Sequence, residues 1–127
     1  MMHSIIVKRR CETSHFLRGY DGKCSEIHGH SMLVEVKISA ELLDATGFVV
    51  DFIRVKDIID EFDHAMINKD VPYFKTINPT AENIGKYLCE RIQDSIGNEV
   101  NEPVVEYVKI WETENNCAVY IPEVEED

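Results

Sequence analysis

The 127-residue sequence predicts an α+β fold, one four-stranded antiparallel sheet with two helices on one face. Three observations carry this reading. Residues 30–39 alternate apolar and polar side chains, two segments opened by capping residues repeat at helical spacing, and two β-rich runs lie near the C-terminus with a short polar break between them. The order strand, strand, helix, helix, strand, strand suits helices layered on an antiparallel sheet.

The first strand is read from Ile5, Ile6 and Val7 among the charges of residues 4–12. "RGYDGK", with two glycines and an aspartate, is a loop. In the second strand Met32, Val34, Val36 and Ile38 alternate with Ser31, Leu33, Glu35, Lys37 and Ser39. "DATG", residues 44–47, is a turn, after which Asp51 serves as N-cap to a helix carrying Phe52, Val55, Ile58, Ile59 and Phe62. "NPTAEN" supplies Pro79 and the cap Thr80 to a second helix with Ile84, Tyr87, Leu88 and Ile92, and Gly97 stands just past its end. "VVEYVKIWET" and "NCAVYIP" are the last two strands, joined across Glu114 to Asn116. Val34, Val36, Tyr107, Trp111 and Tyr120 are more large side chains than four strands leave wet, which predicts association of sheets between subunits. Residues 1–122 read as one domain and residues 123–127, "EVEED", as an acidic tail.

Thirteen Lys+Arg against 24 Asp+Glu give a net charge of -11, which argues against nucleic acid and anionic membranes as partners, because both need a basic surface. No apolar run approaches the roughly 18 residues of a membrane helix, and "MMHSIIVKRR" lacks the apolar stretch of a secretory signal. Cys11, Cys24, Cys89 and Cys117 form no CxxC pair and read as reduced thiols, so a cytoplasmic location is expected.

The chemistry concentrates in "KCSEIHGH", residues 23–30. His28 and His30, at i and i+2 on a strand, point the same way. A hairpin of the first two strands can bring His15 against them, and three neutral imidazoles are a common catalytic zinc set, although an HxH pair alone is also an ordinary solvated strand end. Cys24, Cys11 or His3 can each close the fourth position and make the site structural; placed beside the metal instead, Cys24 can act as base or nucleophile with Lys23 lowering its pKa. The bland alternative is a buried cysteine. Asp63 and His64 in "EFDHAMIN" can form a proton-transfer pair, or His64 can simply complement a helix C-terminus. Glu112 in "IWET" can accept two parallel hydrogen bonds from a guanidine-like edge such as a pterin, or be an exposed strand-end glutamate.

Taken together and in this order, "TSHFL" with His15, "KCSEIHGHS", "GFVVDF", "FDHAMIN", "PTAENI" and "WET" resemble the 6-pyruvoyl-tetrahydropterin synthase and 6-carboxytetrahydropterin synthase family over nearly the whole chain. The cysteine-x3-HGH element is the specific one. The resemblance implies a tunnelling fold (T-fold), whose sheets close into a trimeric barrel and whose trimers stack into a homohexamer with sites shared between subunits. It implies Zn2+ on His15, His28 and His30, Cys24 as catalytic base, Asp63 and His64 as proton-relay partners, and Glu112, with Thr80, at the pterin. The implied substrate is 7,8-dihydroneopterin triphosphate. The short chain and the motif spacing look like the compact 6-carboxytetrahydropterin branch of queuosine synthesis, with the pyruvoyl branch as the alternative. Some relatives use a glutamate near this point for an aldolase-type cleavage; it sits one position before Glu26, which reads as an exposed neighbour. Lys23, Arg18, Arg9 and Arg10 are candidates for holding the triphosphate. Outside the family reading stand a non-catalytic zinc module closed by Cys24 and a zinc hydrolase using metal-bound water.

Overall fold

The computed structural model describes residues 1–123. The acidic tail expected from residue 123 onward therefore lies, but for its first residue, outside the described residues. Strands β1 (His3–His15), β2 (His28–Ala40), β3 (Val104–Trp111) and β4 (Cys117–Tyr120) form one antiparallel sheet in the order β1-β2-β3-β4. The first strand is longer than the apolar residues at its start suggest, because all thirteen of its residues pair with β2. Helix α1 covers Phe52–Ile59 and continues as a 3-10 turn over Asp60–Phe62; α2 is a four-residue turn of helix, Ile67–Asp70, not foreseen from the sequence; α3 covers Ala81–Ile96. Both expected caps form. Asp51 accepts from Ile53 N–H at 2.9 Å and Thr80 Oγ1 accepts from Asn83 N–H at 3.1 Å.

The core lies between the helices and one face of the sheet. Odd residues of β1 (Val7, Cys11, Thr13, His15) and even residues of β2 (Met32, Val34, Val36, Ile38) point into it. Gly85 lets α3 lie close on β3 and β4, since a Cβ there would stand 3.4 Å from Tyr120 Cβ and 3.5 Å from Ile110 Cγ1. Gln93 ties the same helix to the start of β3, donating to Pro103 O and accepting from Val105 N–H.

The expected apolar surplus divides differently from the sequence reading. Val34 and Val36 are buried under the helices and Tyr120 packs on the core edge, so only Tyr107 and Trp111 of the five residues lie on the opposite face. That face is largely polar. Glu35 sits there nearly buried, accepting from Tyr107 Oη at 2.7 Å with Lys8 and Lys109 at 3.8 and 3.7 Å.

Candidate metal centre and active site

The inward row of side chains ends at the β1–β2 hairpin in three histidines. His15, the last residue of β1, stands opposite His28, the first of β2, and His30 stands opposite Thr13. Register and alternation thus put three imidazoles on one face, with ring centroids 4.6, 4.9 and 4.7 Å apart. One ring nitrogen from each lies within 4.8 Å of the others.

The surroundings decide which nitrogen is available. His15 Nδ1 is 2.7 Å from Pro79 O and His28 Nδ1 is 2.8 Å from Glu26 O. A carbonyl only accepts, so both Nδ1 atoms carry the proton and leave an Nε2 lone pair for a ligand. His30 Nε2 is buried and has no hydrogen-bond partner. Burial in an apolar setting, reinforced by the neighbouring imidazoles and opposed by the Pro79 carbonyl, pushes the His15 pKa down to about 4. Three convergent imidazoles, one of them buried and one carrying an orphaned nitrogen, fit a divalent transition metal of the zinc kind.

Among the described residues no cysteine or carboxylate joins this cluster. His3 is paired with Ala40 at the other end of β1, about 40 Å away at strand rise. Cys11 is fully buried facing α1, 3.7 Å from Ile59 O, with its thiol pushed up to about 12 by burial first and then by Asp63 and Asp60. Cys24 is half-buried in a 3-10 turn, Lys23–Ser25, fastened by Leu17 N–H to Cys24 O at 2.7 Å. A metal held by these three imidazoles would find no cysteine of the described residues as a fourth ligand, which is the donor set of catalytic rather than structural zinc.

The sequence model described as 6-pyruvoyl tetrahydropterin synthase matches residues 4–123. The chain belongs to the 6-pyruvoyl tetrahydropterin synthase family. A 6-pyruvoyl tetrahydrobiopterin synthase of Pongo abelii is 35% identical over 106 residues, 78% of this chain and 70% of the relative. A 6-carboxy-5,6,7,8-tetrahydropterin synthase of Rickettsia bellii is 33% identical over 130 residues, 87% of this chain and 93% of the relative. The solved structure of Caenorhabditis elegans 6-pyruvoyl tetrahydropterin synthase superposes with a TM-score of 0.80 at 27% identity over 97% of both chains. Membership in the 6-pyruvoyl tetrahydropterin synthase family makes the fold a T-fold and the chain a pterin synthase, with relatives of both product names.

The segment matched to the 6-pyruvoyl tetrahydropterin synthase family includes the remaining expected residues. Glu112, one residue past β3, brings Oε1 to 4.0 Å from His15 Nε2. Thr80 caps α3 directly after the Pro79 carbonyl that orients His15. Asp63 and His64 do touch, Oδ2 to Nε2 at 3.7 Å. They stand beyond α1, not at its last turn, so a helix dipole does not explain the histidine. Their loop is laid on the open edge of β1: His64 N–H donates to Glu12 O at 2.7 Å, Glu12 N–H donates to Asp63 Oδ1 at 3.0 Å, and Ser14 N–H donates to Ala65 O at 3.0 Å. His64 takes a left-handed φ of 59°, sparsely populated for a residue with a side chain, and its ring is 81% exposed beside a groove shared with His30. Among the described residues no hydrogen bond links Cys24 to Asp63 or His64.

The four expected cations separate. Arg9 is spent on a two-point pair with Asp60, at 2.7 and 3.0 Å, and Arg18 is fastened to Phe74 O at 3.0 Å. Among the described residues Arg10 hydrogen-bonds Ser31, and Lys23 is exposed. Groups with no orienting role in the sequence reading do much of that work: the carbonyls of Pro79 and Glu26, and Asn68, which is 4% exposed and pairs with both backbone groups of Phe16. A polar Asn in the apolar run "AMIN" was the available signal.

Proposed function

We propose that the chain is a zinc-dependent lyase that converts 7,8-dihydroneopterin triphosphate and one water to 6-carboxy-5,6,7,8-tetrahydropterin, acetaldehyde and triphosphate, on the route to queuosine. The observation that carries it is the convergence of three imidazole nitrogens, one of them buried without a partner, beside the Glu112 carboxylate. His15, His28 and His30 would hold Zn2+, which would polarise the hydroxyls of the pterin side chain and acidify the neighbouring C–H bonds. Glu112 would accept two N–H bonds from the pterin edge, and Thr80, whose oxygen already accepts a backbone N–H, keeps its hydroxyl proton to donate to the same ring. Cys24 would take a proton as thiolate, and His64, steadied by Asp63, would return one.

The exposed His64 on the β1 edge and the half-buried Cys24 turn favour a site assembled from adjacent subunits. The edge of β4, and the edge of β1 short of the stretch that the Asp63–Ala65 loop covers, are where sheets of a trimeric barrel, and hence a hexamer, would join. Four unpaired thiols suit a reducing cytoplasm, and no described helix is long and apolar enough to cross a membrane. The pyruvoyl branch, in which triphosphate leaves and the carbon chain is kept, is favoured by the names of relatives such as that of Pongo abelii. A structural zinc module is disfavoured because Cys24 stands outside the histidine cluster.

The test is mass spectrometry of products after incubating zinc-loaded protein with 7,8-dihydroneopterin triphosphate, beside Cys24→Ala. Acetaldehyde and 6-carboxytetrahydropterin from the parent, and neither from a variant that still binds zinc, are expected. The pyruvoyl compound would move the assignment to the other branch. A folded, zinc-loaded oligomer without turnover would sink it.

A further inference from the structure

The segment between the end of β1 and the Cys24 turn is held by two asparagine side chains acting as a neighbouring strand would. Asn68 accepts from Phe16 N–H and donates to Phe16 O, both at 2.9 Å. Asn78 does the same two residues on, accepting from Arg18 N–H at 2.9 Å and donating to Arg18 O at 2.8 Å. The residue between them, Leu17, points its N–H the other way, to Cys24 O at 2.7 Å. Asn78 is itself pinned, because its carbonyl accepts from Asn83 Nδ2 and from Thr80 N–H, both at 2.9 Å. The next carbonyl along the chain, Pro79 O, accepts the His15 Nδ1 proton at 2.7 Å.

We propose that Asn78 is a positioning residue that registers the His15 imidazole and the Cys24 turn against each other. Two short routes leave it. One runs through a single peptide unit to Pro79 O, which accepts from His15 Nδ1–H and leaves Nε2 as the lone pair that the ring can offer to the histidine cluster. The other runs through Arg18 and Leu17 to Cys24. Asn suits the place because its amide carries an acceptor and a donor side by side: Asp lacks the donor, and Gln is one methylene too long. The groups that orient a metal-binding imidazole govern affinity as well as geometry.

The inference rests on His15, His28 and His30 as the zinc set, so the experiment separates the two claims. Zinc affinity is measured by chelator competition for the full-length protein and for Asn78→Ala, Asn78→Asp, Asn101→Ala and His30→Ala. The rate of Cys24 alkylation is read in zinc-free protein by peptide mass spectrometry. Asn101 is the control, since its amide fastens Leu42 O and Val49 O at 3.1 and 3.0 Å in a loop remote from the histidines. Asn78→Ala is expected to weaken zinc by about ten-fold or more and to change the Cys24 rate. Asn78→Asp, which keeps the acceptor alone, should fall between, and it carries the comparison if the alanine variant does not fold. Asn101→Ala should lower the melting temperature and leave both readouts unchanged. Asn78 variants that bind zinc and alkylate like the parent, while His30→Ala loses zinc, would overturn the positioning role alone. If His30→Ala binds zinc as the parent does, the zinc set fails and this inference with it.

Discussion

Replacing His30 by leucine should raise the stability of the metal-free protein and abolish its response to zinc. His30 Nε2 is buried with no partner, and an unsatisfied polar atom in that setting costs about 1–3 kcal/mol. Leucine removes the cost and retains apolar volume. It forfeits the edge-on ring contacts with His15 and His28 at 4.9 and 4.7 Å, about 0.5–1.5 kcal/mol. The balance is a gain of about 1 kcal/mol, which raises the melting temperature by roughly 3–5 °C in a domain of this size. Zinc reverses the order. At a free concentration one hundred times its dissociation constant a ligand stabilises the native state by about 2.7 kcal/mol, and a pair of imidazoles in place of three should capture little of it. Thermal melts of both proteins in chelator and in zinc make the comparison. A leucine variant that melts several degrees below the parent in chelator would show that the imidazole is well partnered after all. Equal zinc-induced shifts in the two proteins would place the metal elsewhere.

Phe62, fully buried against Phe74 and Tyr87 with centroids at 6.1 and 5.7 Å, anchors the chain just before Asp63; Phe62→Ala should cost about 3–5 kcal/mol in urea titration. In a thiol titration of the native protein Cys24 and Cys117 should react quickly while Cys11 and Cys89, fully or almost fully buried, wait for unfolding. Burial holds the thiols of Cys11 and Cys89 up to about 12 and about 11, so the native state keeps protons that the unfolded chain gives up; their stabilising contribution, complete below about pH 9, should fade as pH rises through those values, read as a falling urea midpoint. His15 works in the opposite sense. Its native pKa of about 4 lies below the unfolded 6.5, so metal-free protein should lose roughly 3 kcal/mol as pH falls from 6.5 to 4, and His15→Gln should flatten that part of the profile.

The local features of this protein were legible in its sequence because their causes are local. Alternation over β2 put His28 and His30 on one face, and the caps Asp51 and Thr80 opened the helices they were read to open. The cysteine-x3-HGH element with "FDHAMIN", "PTAENI" and "WET" was enough to reach the family. The end of α1 was misjudged by one turn, since Phe62 continues the helical apolar spacing into a 3-10 turn and so disguises the place where the chain leaves the helix for the β1 edge. Val34 and Val36 could not be assigned to the helix-covered face from periodicity, which says that residues share a face but not which layer covers it.

What only the tertiary structure decided is the set of contacts between distant segments. The pairing of His15 with His28 follows from thirteen consecutive register partners, and Glu112 reaches His15 because β3 pairs with β2. Cys11 and His3 were excluded as ligands by burial and by strand length, neither of which a residue's identity reveals. The orienting acceptors were the least visible of all. Every residue carries a backbone carbonyl, so nothing in the sequence marks Pro79 O or Glu26 O, and only the packing of the chain sets them beside an imidazole that needs one.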